Sequence, residues 1–468
     1  MLEFLGGQSL DTVSCVYLTA SGSTSAASFE ALPPAELWSH LEQGSEVNRS
    51  LWDRGSVIAH LDIEYVNFDF PAEPYLDPDR AFAVQAPVVR ALQTILLEYG
   101  IQPLHLLSGR GHHLVWRVPC DTQAMEHLTE VGVVGETLKS CNAAPHPPLG
   151  EPVPPRVAAG FAGVGQALEF VAHRALAEMP AVDGVPIELT AVQTAPANRG
   201  CEVISLDLSE YGDPLHTRMI RIPYSAYHKP GQERGKLGEH LVAELPTIFM
   251  IPLFEMDHRQ GTAVMRDPEC VAKLAEVASA AIPDCSDGMD LLTAAYAESD
   301  VGAFHRWFYL QQHEPAWRWP QTYDRTPLGP LPPCTREMLQ RPNDVLLTPA
   351  GIRHIVRVFL ALGWHPRHIA GLIRSKFERD HGWGAYFYHY DAGTRADFYV
   401  RLFAGLIATG RDPLDDFCCQ TEHLRPPCNG TTCLEILERH RQSLLARRNH
   451  ERLACRPIHG LFLPDEHL

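Results

Sequence analysis

Apolar and polar positions alternate along SVIAHLDIEYV (56–66), which predicts a strand. Leu61, Ile63 and Tyr65 share one face of it, while Asp62 and Glu64 share the other. The spacing then changes to a helical one over 79–100, with an Asp at the start and a Gly at the end. PLHLLS and HHLVWRV read as two short strands around a Ser-Gly-Arg-Gly turn, giving the order strand, helix, strand, turn, strand. A short helix opened by prolines is expected at 33–43. After a Pro-rich loop at 142–155 come an apolar helix near 157–178 and strands at 201–208 and 218–223. Residues 236–311 read as mostly helical, and 317–333 as a linker. Beyond it the pattern predicts helices at 350–362, 366–379 and near 395–409, an aromatic stretch GWGAYFYHY, a cysteine cluster and a charged helix at 433–452. Residues 1–30 are Ser/Ala-rich and carry no pattern, and no internal repeat is visible. These elements predict an α+β chain of three regions, 1–235, 236–330 and a mainly helical 331–468.

Composition narrows this only a little. The 468 residues are 45% hydrophobic and 21% charged, a globular balance with ample core. The chain lacks a run of about 18 apolar residues, so no membrane span is expected. The N-terminus has no basic start followed by a long apolar stretch, which leaves a reducing cytoplasm as the expected setting. Twelve cysteines there are expected to be thiols or metal ligands rather than disulfides. The formal charge of −18 argues against a sequence-independent nucleic-acid coat. That charge is uneven: 18 basic and 15 acidic residues lie from Cys334 onward, against 21 and 42 before it. Contact with nucleic acid would have to use local basic patches.

Two carboxylates spaced like Asp62 and Glu64 lie about 7 Å apart along the backbone. They can share a pair of Mg²⁺ or Mn²⁺ ions, which prefer oxygen ligands. A third carboxylate is available in Asp207, at the end of an apolar strand, while Asp213 in the next turn reads as a solvated loop residue. An isolated Asp-x-Glu is equally the pattern of an amphipathic strand with a wet acidic face.

SGRGHHLVW (108–116) lacks the Gly-Lys-Ser/Thr ending of a phosphate loop and precedes a strand. Ser108, Gly109, Arg110 and Gly111 can nonetheless expose backbone N–H groups to an anion, with His113 following on the strand. A plain hairpin turn has the same signature. IRIPYSAYHK places Arg221 on a strand and Ser225, His228 and Lys229 in the loop after it. Arg clamps phosphate bidentately and Lys adds a compact charge. A solvated loop is the plain alternative.

Taken together, HLDIEYVNFD, SGRGHHLVW and SLDL followed by IRIPYSAYHK resemble the three motifs of the archaeo-eukaryotic primase superfamily, which includes the primase-polymerases. The resemblance covers about 55–235. It implies a primase-type catalytic domain of mixed sheets flanked by helices. Asp62, Glu64 and Asp207 would be the catalytic Mg²⁺ or Mn²⁺ ligands. Ser108, Gly109, Arg110, Gly111, His113, Arg221, Ser225, His228 and Lys229 would bind the nucleotide. The chain departs from the family in a long insert between the second and third motifs. It also has Tyr224-Ser225 where the family has Gly-Ser.

Cys15, Cys120, Cys141, Cys201, Cys270 and Cys285 are scattered singly and read as buried structural thiols. Cys334, Cys418, Cys419, Cys428 and Cys433 are grouped differently and can supply four thiolates to Zn²⁺ or to an iron–sulfur cluster. PPCTREML, the helix pair and this cysteine set are similar to the C-terminal iron–sulfur domain of the primase large subunit. That similarity implies a [4Fe–4S] cluster on Cys334, Cys419 or Cys418, Cys428 and Cys433, with Cys455 as a possible substitute and Zn²⁺ as the alternative metal. The expected activity is template-dependent joining of NTPs or dNTPs on single-stranded DNA, with a helicase or other replication protein as a possible partner. The rival expectations are a non-catalytic nucleic-acid-binding protein on the same fold and a metal-dependent nuclease or phosphohydrolase.

Overall fold

The computed structural model describes residues 1–22, 30–146, 150–190, 202–340, 344–379, 392–417 and 431–450. It is an α+β protein whose contacts gather into two compact units. The first comprises Met1–Ala191 with Glu202–Ala294, and the second runs from Ala295. The sequence boundaries at 235 and 330 differ from this division, because Ile251–Pro252 joins the sheet of the first unit.

The strands of the first unit are β1 (Leu18–Ser21), β2 (Glu46–Ser50), β3 (Ser56–Asn67), β4 (Leu104–Leu107) and β5 (Gly111–Pro119). They continue with β6 (Ala181–Val182), β7 (Val185–Leu189), β8 (Glu202–Asp207), β9 (Met219–Arg221) and β10 (Ile251–Pro252). They form a three-stranded sheet in the order β1-β2-β9 and a seven-stranded sheet in the order β10-β4-β5-β3-β8-β7-β6. The larger sheet is mixed, since β7 runs parallel to β8 while the other pairs are antiparallel.

Two long helices cover one face of that sheet, α1 (Pro78–Glu98) and α2 (Pro155–Glu178). Asp77 caps α1 by accepting from the Arg80 N–H, and a proline follows at its first turn. Phe82, Leu92, Ile95 and Leu96 of α1 and Val164, Leu168 and Val171 of α2 are fully buried. Beneath them lie Leu61, Ile63 and Tyr65, each 0% exposed, on the core face the alternation predicts. The opposite face of β3 carries the carboxylates.

In the second unit the helices are α3 (Asp300–Leu310), α4 (Pro333–Gln340), α5 (Pro349–Ala361), α6 (Pro366–Phe377), α7 (Ala392–Ala408) and α8 (Thr431–His450). The last four of these match the helices expected there to within a few residues. The Pro-rich stretch at 317–333 is folded rather than extended. It forms 3₁₀ turns whose Trp319 and Tyr323 are buried, and the Tyr323 hydroxyl meets His368 Nδ1 at 3.2 Å. Among the described residues, no helix is long and apolar enough to cross a membrane.

Candidate functional site

β3 is flanked by β5 on one side and β8 on the other, so its outward residues meet partners in both ladders. Asp62 is paired with His113 of β5 and with Asp207 of β8. Directly paired residues point to the same face of a sheet. His113, Asp62 and Asp207 therefore form one row across three strands. Glu64 lies in the next row on that face, opposite Ser205 and Gly111. His60 lies two residues before Asp62 and completes a His-x-Asp-x-Glu face along β3.

The small sheet and the chain after β9 close over this face. The resulting cavity, about 220 Å³, is lined by Asp62, Glu64, Asp207, Ser108 and His113 from below. Asn48, Arg221, Tyr227 and Lys229 line it from above. Lys229 Nζ stands 3.6 Å from Glu64 Oε1, and the Arg110 guanidinium donates to Glu64 Oε2 at 2.5 Å. Arg221 donates to Glu46 Oε1 at 2.7 Å and lies over the Tyr227 ring, 4.3 Å from its centre.

The two β3 carboxylates titrate in opposite directions. Burial and then the neighbouring charges of Glu64 and Asp207 push Asp62 well above the usual carboxylate range. Burial pushes Glu64 the same way, but Arg110 and Lys229 outweigh it and hold Glu64 well below that range. Asp207 is held by the Ser209 N–H, which donates to its Oδ1 at 2.8 Å. Burial, then the cations around it, drives His113 well below the usual histidine range, so its ring is neutral.

The glycines of the turn are required by close approach rather than by backbone angle. A Cβ on Gly111 would fall 2.0 Å from the Ile63 carbonyl oxygen, and one on Gly109 would fall 2.3 Å from the Tyr227 ring. Ser108 ties the hairpin by donating its N–H to the Gly111 carbonyl at 2.9 Å. Of the expected nucleotide-binding set, Ser108, His113, Arg221 and Lys229 line the cavity. Arg110 turns back from the tip of the hairpin onto Glu64.

Ser225 and His228 are placed elsewhere. The Ser225 hydroxyl is buried and donates to the Ile222 and Val47 carbonyls at 3.0 and 3.2 Å. The His228 backbone N–H donates to Glu46 Oε2 at 2.6 Å, and its Nε2 lies 2.8 Å from the Gly44 carbonyl oxygen. Glu46 thus anchors the basic run at two points. Its role has no signal in the sequence, because EVNRS lacks the alternation that predicts a strand. Asp213 is a correction of another kind: it is 4% exposed and ion-paired with Arg218, not solvated. A buried charge needs such a partner.

Tyr224 stands where the resembled family has glycine, and it adopts φ of 69°, the left-handed region. Its N–H donates to the Met250 carbonyl at 2.6 Å and its hydroxyl to the Ala278 carbonyl at 2.9 Å, which hold the conformation. The backbone at this position follows glycine geometry with a tyrosine in place.

Cys334 is buried at the start of α4, with Sγ 3.4 Å from His354 Nε2. Burial drives His354 down to about 3, so that imidazole is neutral. Cys418, Cys419, Cys428 and Cys455 lie outside the described residues, as do the aromatic stretch at 382–390 and Cys201. Cys433 belongs to α8, but its side chain also falls outside the description. Of the scattered thiols, Cys15 and Cys285 are buried, Cys120 and Cys270 are partly so, and Cys141 is exposed, contrary to expectation. Burial pushes the Cys15 thiol up to about 11.

The face has the donor chemistry of a cation site, with one oxygen unpartnered. Asp62 Oδ1 is buried without a hydrogen-bond partner, and the three carboxylates offer the oxygen donors that Mg²⁺ and Mn²⁺ favour. Among the described residues, no group of three or more His, Cys, Asp or Glu side chains is placed so that it could hold a metal ion as it stands. Glu64 is instead satisfied by Arg110 and Lys229. Compared with family models, curated proteins and solved structures, the chain matches none of them.

Proposed function

We propose that this chain is a template-dependent nucleotidyltransferase of the primase-polymerase kind, joining NTPs or dNTPs on single-stranded DNA. The observation that carries the reading is the register of three strands. It sets Asp62 beside Asp207, with Glu64 two residues on, under a roof containing Arg221 and Lys229. Two divalent ions on these carboxylates would activate a 3′-hydroxyl and stabilise a leaving pyrophosphate. Burial, then Glu64 and Asp207, raise the proton affinity of Asp62, and positive charge entering the site would lower it again. Glu64 is ionised throughout. Lys229 and Arg221 would neutralise the triphosphate, and Ser108 and His113 would orient it from the hairpin side.

In the same reading, residues 1–235 form the catalytic domain and the Pro-rich segment leads to a cysteine-ligated C-terminal domain at 331–468. Cys334 would be the first ligand of a [4Fe–4S] cluster or Zn²⁺. An iron–sulfur cluster would colour the freshly purified protein, whereas Zn²⁺ is d¹⁰ and colourless.

The test is incorporation of labelled nucleotide with Mn²⁺ and a single-stranded template. Product that is lost in Asp62→Ala and Glu64→Ala supports the reading, and its absence from the wild type removes it. The prior pairing of Glu64 with Arg110 and Lys229 favours one second reading, a nucleic-acid-binding protein without catalysis. A calorimetric Mn²⁺ titration that Asp62→Asn leaves unchanged would select it.

A further inference from the structure

Along the cavity wall, three side chains, one of which (Glu210) lies outside the sequence motifs, form a chain of short hydrogen bonds. Glu210, in the 3₁₀ turn Ser209–Gly212 after β8, places Oε2 2.7 Å from His60 Nδ1. His60 Nε2 lies 2.7 Å from His113 Nδ1. His113 Nδ1 is in turn 3.5 Å from Asp62 Oδ1. The backbone N–H of His60 also meets the Tyr211 hydroxyl at 3.0 Å, and that hydroxyl donates to the His60 carbonyl at 3.0 Å. The backbone and the ring of His60 are therefore both held by the turn that carries Glu210. His60 is 4% exposed and His113 8%, so neither ring is held by solvent.

From this geometry we infer that Glu210 and His60 are positioning residues. They pin the His113 ring through Nδ1 and keep Nε2 aimed into the cavity to donate to a phosphate oxygen of a nucleoside triphosphate. The inference rests on the nucleotidyltransferase reading and adds two residues to its nucleotide site. Hydrogen-bond direction gives the reason. A phosphate oxygen only accepts, so His113 must carry its proton on Nε2 and accept on Nδ1. The donor to Nδ1 is then His60 Nε2–H. The Glu210 carboxylate, which only accepts, faces the other His60 nitrogen, Nδ1, at 2.7 Å. An imidazole oriented by a carboxylate through its far nitrogen is a recurring device for fixing ring orientation. Here a second imidazole extends it by one link. Asp62 Oδ1 is farther from His113 Nδ1 than His60 is, which leaves that carboxylate available to a cation.

The experiment is calorimetric binding of α,β-methylene-ATP to the full chain with Mn²⁺, beside binding of Mn²⁺ alone. The proteins are the wild type, Glu210→Ala, Glu210→Gln, His60→Phe and His113→Ala. Loss of one charge-assisted hydrogen bond corresponds to about tenfold in affinity or more. Glu210→Ala and His60→Phe are expected to weaken the analogue about tenfold, close to His113→Ala, while changing Mn²⁺ affinity by less than about threefold. Glu210→Gln, whose amide oxygen still accepts from Nδ1–H, is expected to recover most of the loss. Wild-type affinity in Glu210→Ala and His60→Phe, with loss only in His113→Ala, would overturn the positioning role and leave the nucleotide site standing. Equal loss of analogue and Mn²⁺ in every variant would mark general disruption and overturn it too. A wild type that binds Mn²⁺ but not the analogue would overturn both the inference and the reading beneath it.

Discussion

Replacing Asp62 with asparagine should stabilise the protein in the absence of divalent ions and remove its response to them. Asp62 and Asp207 are paired residues of adjacent antiparallel strands, whose Cα atoms lie about 5 Å apart. Two unit charges at that distance repel by about 3 kcal/mol at an effective dielectric constant near 20. Glu64 adds to the repulsion and Lys229 offsets part of it. Burial, the largest cause, raises the cost of ionising Asp62 further, and the repulsive part alone is about 2 kcal/mol. Because folding raises this group above 3.8, the neutral carboxyl is the form the fold prefers. The corresponding stability is fully present below about pH 4 and is lost as pH rises through the folded-state value. The asparagine amide cannot ionise, so the variant keeps what the wild type loses. D62N and wild type should melt together near pH 4, and D62N should melt about 4 °C higher at alkaline pH, taking about 2 °C per kcal/mol for a unit of this size. Adding Mn²⁺ at a hundred times its Kd should stabilise the wild type by about 2.7 kcal/mol and D62N much less. Melting curves from pH 4 to 9, with and without Mn²⁺, read both effects. A D62N protein no more stable than wild type at pH 9 would refute the repulsion argument.

Other expected outcomes follow from single contacts. Gly111→Ala should cost more than about 3 kcal/mol, because its Cβ meets the Ile63 carbonyl of the central strand. Gly109→Ala, which meets an aromatic ring that can shift, should cost less, and denaturant midpoints will rank the two. At position 224 the usual order of substitutions should reverse: Tyr224→Gly should be about 1 kcal/mol more stable than Tyr224→Ala, because φ is 69°. Arg110→Met should destabilise the metal-free protein by about 3 kcal/mol, since it leaves Glu64 with Lys229 alone, and Mn²⁺ should recover part of that loss.

The elements with a strong period were legible. The core face of β3, the two covering helices and the last four helices of the second unit follow directly from apolar spacing and caps. The acidic pair was legible for the same reason, since period two places Asp62 and Glu64 on one face. That Asp207 pairs with Asp62 was not legible, because register is set by ladders between distant segments. Short strands were missed. EVNRS shows no clear alternation, so Glu46 and its hold on Arg221 had no signal. Ser225 and His228 had suitable chemistry, but the turn at Tyr224 directs them into backbone contacts. His60 was visible two residues before Asp62, yet one histidine within an apolar strand gives no hint that Glu210 and His113 bracket it.

The most direct measurement uses the one carboxylate whose role depends wholly on the three-strand register. Labelled-nucleotide incorporation on single-stranded DNA with Mn²⁺ should be robust for the wild type and fall at least a hundredfold in Asp207→Asn, with the melting temperature kept within a few degrees. Incorporation by Asp207→Asn at the wild-type rate would contradict a metal site shared by these strands.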